Sequence, residues 1–133
     1  MANIQNTKLI WETFIELKKI TKESSRFDSH KAKLLAYLKN NDNFKLVVGD
    51  KSWKAFVKNE LSPLSLNSAD RLAKIYQVYI SDLGLKEQDI ASMDSNVLYR
   101  LTTIVNKKNI KSWLDKAQKL TREDFYKLIT LNL

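Results

Sequence analysis

Asn67, Ser68, Arg71 and Lys74 are the residues whose types and spacing could do chemistry on a second molecule. Arginine can bond guanine O6 and N7, and asparagine can bond adenine N6 and N7. Where two helices are joined by a tight turn, the first residues of the second helix reach base edges, while the first helix and loops hold phosphates. The four residues stand where such a second helix would begin. An ordinary solvated helix face has the same composition, and the residues alone leave both readings open. Asp70 counts against base reading, because it brings a carboxylate near phosphates. It also suits the third helical position of an Asn-x-x-Asp cap.

Catalytic chemistry finds little to work with. His30 is the sole histidine and there is no cysteine, so no histidine or thiolate metal set can be written. A nucleophilic serine would lack an imidazole base other than His30. The carboxylate pairs Glu123–Asp124 and Glu87 with Asp89 fall at helix starts, where caps and the helix dipole account for them. Two glycines, Gly49 and Gly84, cannot spell a phosphate-binding glycine loop. The expectation is a protein that is not an enzyme, with no cofactor, no metal and no small-molecule substrate.

The charge balance points outward instead. The chain carries 23 basic and 15 acidic residues, formally +8. Residues 1–66 hold 12 basic and 7 acidic residues, and residues 67–133 hold 11 and 8, so the excess is spread along the chain. A basic globule favours polyanions. Lys51, Lys54 and Lys58, and further along Lys107, Lys108 and Lys111, would extend a phosphate-binding surface around Asn67, Ser68, Arg71 and Lys74. DNA is the expected partner. No apolar run is long enough to span a membrane, and no membrane partner is expected. The N-terminus lacks a signal-peptide pattern, and the absence of cysteine removes disulfides. Both place the chain in the cytoplasm.

The elements that must position these residues read as helices throughout. Two glycines and one proline in 133 residues leave few turns for an antiparallel sheet. The fold class is all-α, a compact single-domain bundle of about six to seven helices. Residues 6–21 form a first helix, with Ile10, Phe14 and Leu17 on one line, Trp11 and Ile15 on one flank, and Leu9 and Ile20 on the other. This apolar arc is wider than one contact needs. It fits a helix held between others, or a protein or homodimer interface carried by Leu9, Trp11, Phe14 and Ile15. The polar stretch 22–29 then separates residues 1–22, an interaction or dimer arm, from a helical domain over 28–133.

A second helix begins at Asp28 or Ser29, with an exposed His30 in its first turn. Residues 43–48 read as helical extension or irregular packing. Asp50 or Ser52 caps a helix from Trp53 to Leu61, and Pro63 marks the turn. The longest helix runs from Asn67 to Leu83, opened by Asn67 and Ser68 and stopped by Gly84. It turns Ala69, Leu72, Ala73, Tyr76, Tyr79, Ile80 and Leu83 inward. Residues 52–83 thus form a helix-turn-helix-like unit. Shorter helices follow, capped near Asp94 and Thr121.

LSLNSADRLAKIYQVY, then NVLYRLTTI and LTREDFYKLI, is similar in order to the central DNA-binding region of ParB- and KorB-type partition proteins. It also looks like helical proteins carried on phages and plasmids. The likeness runs from Ser52 to Ile129, and it implies base-reading positions at Asn67, Ser68, Arg71 and Lys74. The chain departs from the pattern in lacking an arginine-rich nucleotide-binding box upstream, and its turn holds Pro63 and no glycine. A CTP-switched clamp is therefore not implied. Two functions follow as expectations. One is a DNA-binding regulator of transcription, partition or a mobile element. The other is a small helical interaction module, such as an inhibitor or accessory subunit of a nucleic-acid-processing complex.

Overall fold

The computed structural model describes residues 4–19, 28–49, 52–91 and 93–132. Among them all regular structure is helical. The elements are α1 (Ile4–Lys19), α2 (Ser29–Lys39), a 3₁₀ segment (Asn40–Leu46), α3 (Trp53–Glu60) and α4 (Leu66–Ile75). A π segment (Tyr76–Asp82) continues α4, followed by α5 (Glu87–Ile90), α6 (Ser95–Leu101), α7 (Ile110–Lys119) and α8 (Arg122–Leu131). Ile20, the stretch 21–27, Asp50 and Lys51 lie outside the described residues.

Side-chain caps start most of these helices, each satisfying an orphan N–H of the first turn. Asp28 accepts from Lys31 N at 3.1 Å, Ser52 from Ala55 N at 3.1 Å, Asp94 from Asn96 N at 2.8 Å and Thr121 from Asp124 N at 3.2 Å. Gly84, at φ 72, ends the π segment, with its N–H on Ile80 O at 3.2 Å. That left-handed conformation suits glycine, which has no Cβ to clash.

The long helix differs from its sequence reading in two ways. Its cap is Ser65, whose Oγ accepts from Ser68 N at 3.1 Å, so Asn67 and Ser68 already lie inside the helix. The reason is that Ser65 is the last residue with extended backbone (φ −79, ψ 157). Asp70 is consequently no cap partner. Its carboxylate accepts from Trp53 Nε1 at 2.8 Å and meets Lys39 Nζ at 3.1 Å. Beyond Ile75 the ladder widens from α to π, and before it α4 already faces both apolar clusters. Ile75 is fully buried although helical spacing set it aside, whereas Leu72, Tyr76, Ile80 and Leu83 are half-buried.

Two apolar clusters hold the bundle together. The first joins Ile10, Phe14 and Leu17 of α1 to Leu34, Leu35, Leu38, Phe44, Phe56, Val57, Leu61 and Leu64, and to Ala69 and Ala73 of α4. Its centre is aromatic: Phe44 and Phe56 have ring centroids 5.3 Å apart, and Phe14 and Phe56 5.7 Å. The second joins Ala32, Ile75 and Tyr79 to Ile90, Leu98, Leu101, Ile110, Trp113, Phe125 and Ile129. Tyr79 is fully buried and donates its hydroxyl to Leu98 O at 2.7 Å. Burial raises its phenol pKa, which keeps it a neutral donor. Helices α2 and α4 contribute to both clusters, so α4 is held from both sides and opens to solvent along one strip.

Between α2 and α3 the chain reverses through Asn41 and Asp42, both left-handed at φ 50 and φ 55. Asn and Asp tolerate this region better than other residues with a Cβ. Asn43 Nδ2 donates to Tyr37 O at 2.8 Å, satisfying a carbonyl near the end of α2. The reversal projects Asn40 and Asn41 beside the open strip of α4.

Candidate nucleic-acid interface

The open strip of α4 carries Asn67, Arg71 and Lys74, all exposed, with Ser68 half-buried on its edge. The residues differ in freedom. Arg71 Nη1 donates to Asn96 Oδ1 at 3.2 Å, and its guanidinium lies 5.0 Å from the centroid of the Tyr99 ring. Ser68 Oγ is bonded to Ser65 Oγ at 3.0 Å. Asn67 and Lys74 have no side-chain partner among the described residues. The strip thus offers one anchored cation, one free cation and one free amide.

The strip is not a ridge. With Asp70, Ala73 and Lys74 of α4 and Gln77 of the π segment as floor, a groove of about 420 Å³ forms whose sides are Lys39, Asn40, Asn41 and Tyr99. Linear spacing gave no sign of Lys39, Asn40, Asn41 or Tyr99 as partners of Lys74. They lie on α2, the 3₁₀ segment and α6, and the left-handed reversal at Asn41 brings one side into place. The run Asn40-Asn41-Asp42-Asn43 was the available signal, since such residues favour left-handed turns.

The remaining lysines divide by location. Lys54 and Lys58, four apart, share the exposed face of α3. Lys51 lies outside the described residues. Lys107, Lys108 and Lys111 are exposed at the start of α7, whose Ile110 and Trp113 belong to the second cluster. Their turn is locked by a reciprocal pair. Asn109 Oδ1 accepts from Asn106 N at 2.7 Å, and Asn106 Oδ1 accepts from Asn109 N at 3.0 Å. Among the described residues none of Lys54, Lys58, Lys74, Lys107, Lys108 and Lys111 forms an ion pair. By contrast Lys8, Lys18, Lys39, Lys45, Lys119 and Lys127 each meet a carboxylate. Helices α3, α4 and α7 also have no acid in the first turn, so nothing there offsets the positive end of the helix dipole.

The expected protein interface on α1 splits three ways. Phe14 is no surface residue, because it is packed against Phe56 in the first cluster. Leu9 turns toward a second groove, shared with α2 and the π segment. Trp11 and Ile15, 43% and 46% exposed, remain together on the outer flank. His30 is exposed and pairs with Glu16. The described residues hold no group of three or more side chains able to bind a metal, and no helix long and apolar enough to cross a membrane.

Compared with protein-family models, curated proteins and solved structures, the chain matches none at a significant level.

Proposed function

We propose that the chain is a non-enzymatic DNA-binding protein that docks through the open strip of α4, with its unpaired lysines on phosphates. The observation that carries this reading is the division among the lysines. Among the described residues every lysine of α3, of α4 and of the α7 corner lacks a carboxylate partner, as Lys19, Lys33, Lys86 and Lys116 also do. A free lysine on a phosphate releases condensed counterions at no cost to an existing ion pair. Fluorescence anisotropy with a random duplex tests the reading. Binding of the wild-type chain should weaken log-linearly with salt, at a slope of roughly −0.9 per phosphate neutralised. Arg71→Glu/Lys74→Glu should abolish most of it. Binding that ignores both salt and the double substitution would remove α4 from the interface.

Trp11 and Ile15 favour a second reading, a protein docked on the outer flank of α1. These large apolar side chains sit one turn apart on a helix whose core-facing line is already satisfied. Trp11→Ser/Ile15→Ser should then reduce self-association, or capture of a partner protein, and leave DNA binding intact. Unchanged sedimentation and an unchanged set of captured proteins would eliminate this reading.

A further inference from the structure

We propose that the nucleic acid taken by this protein is single-stranded DNA, laid along a groove that crosses α2, the π segment and α4. The proposal rests on the nucleic-acid reading above and shares Lys74 with it. The groove beside α4 does not end at Gln77. A second depression, of about 490 Å³, runs between α1, α2 and the π segment and shares Ala36, Asn40 and Gln77 with the first. The two depressions adjoin at these three residues.

Their lining combines the two features that hold a strand. Tyr37 and Tyr76 line the second part and Tyr99 the first. The hydroxyls of Tyr37 and Tyr76 have no partner among the described residues. The Tyr99 ring is backed by the Arg71 guanidinium. Aromatic faces stack bases of any sequence, and cations along the same path hold the backbone. Lys33 and Lys74 are exposed cations on this path, with no ion pair among the described residues. Of the carboxylates in the channel, Asp70 meets Lys39 and Glu16 is hydrogen-bonded to His30.

Shape decides between strand and duplex. A helix that reads a duplex enters a major groove about 12 Å wide, and so must project from its surroundings. Here Lys39, Asn40 and Asn41 line the groove on one side of α4 and Tyr99 on the other. A strand with splayed bases fits such a recess, and the backbone of a duplex would meet its walls first. The π turn contributes as well. It places Tyr76 and Gln77 on the channel while Ile75 and Tyr79 stay buried, and such turns recur at functional sites.

The test compares a labelled oligothymidylate with a random duplex of equal length, by anisotropy at low salt. The variants are Tyr37→Ala, Tyr99→Ala, the matching Phe substitutions, and Lys33→Glu, with circular dichroism confirming the fold of each. The strand should bind more tightly than the duplex. Each Ala variant should weaken it about five- to 150-fold, and the Phe variants should restore it. Lys33→Glu lies on the exposed surface away from α4, and it should weaken the strand as well. Duplex binding at least as tight as strand binding, with Lys33→Glu neutral, overturns the strand and leaves the DNA-binding reading standing. No binding of either probe overturns both.

Discussion

Helices α1 and α4 are built on the same plan, a buried line with open flanks, yet their open sides are opposite in kind. On α1 the exposed flank is Trp11 and Ile15, beside which Lys8 pairs with Glu12 and Glu16 is hydrogen-bonded to His30. On α4 the exposed strip is amide and cation, with Lys74 unpaired among the described residues and a groove beside it. A surface of the first kind binds by removing apolar area from water and is insensitive to salt. One of the second kind binds through counterion release and fails at high salt. The two helices share one fold but suit different classes of partner, and salt dependence tells them apart.

The comparison is broken most forcefully on α1's own buried line. Phe14 is 4% exposed and packs on Trp11 and Phe56, with centroids 5.9 Å and 5.7 Å away. Phe14→Ala should cost about 3–5 kcal/mol, the lost transfer energy plus the cavity left behind. Trp11→Ser, three residues away, should cost less, because that residue is already 43% exposed. Urea unfolding measures both. Similar losses at the two positions would mean that Trp11 belongs to the core and that α1 has no free flank.

The outcome at Phe14 also shows how far the sequence could be read. Helical spacing identified the line Ile10, Phe14 and Leu17 and its flanks Trp11, Ile15 and Leu9. It could not say that the line alone would be covered, because this depends on α2, the 3₁₀ segment and α3 arriving from elsewhere in the chain. Caps were legible to within a residue or two at Asp28, Ser52, Asp94 and Thr121, where spacing left Ser29, Asp50 and Ser95 as alternatives to the first three. The choice of Asn67 over Ser65 failed because all the residues from Ser65 to Ser68 except Leu66 can cap, and backbone geometry selects among them. Ile75 was missed because helical spacing centres on one inward face, whereas the helix packs against both clusters and Ile75 belongs to the second. The groove was the least legible feature. Its walls come from residues about thirty positions before and after its floor, and no local pattern encodes that meeting.

Asp70 gives the sharper test of α4, because its two partners make stability and binding move in opposite directions. Its carboxylate accepts from Trp53 Nε1 at 2.8 Å, fixing the start of α3 against the middle of α4. It also holds Lys39 at 3.1 Å, a pair 45% and 41% exposed at its side chains and so of little worth to stability. Asp70→Ala should therefore destabilise by about 1–2 kcal/mol, nearly all from the indole bond. Asp70→Asn keeps an acceptor for Trp53 and should lose less. Both substitutions free Lys39 on the groove wall and remove a negative charge from its floor. DNA binding should then strengthen, and the salt slope should steepen by roughly 0.7 for one more phosphate of a single strand, or 0.9 for a duplex. Anisotropy titrations at several salt concentrations separate these cases. Weaker binding by the Asn variant, with its fold intact, would make Asp70 a contact to the ligand rather than a clamp on Lys39. A carboxylate that contacts the ligand donates nothing to phosphate and accepts from a base amino group. In that case the floor of α4 reads bases directly, and the difference between the two helices rests on hydrogen bonding rather than on charge.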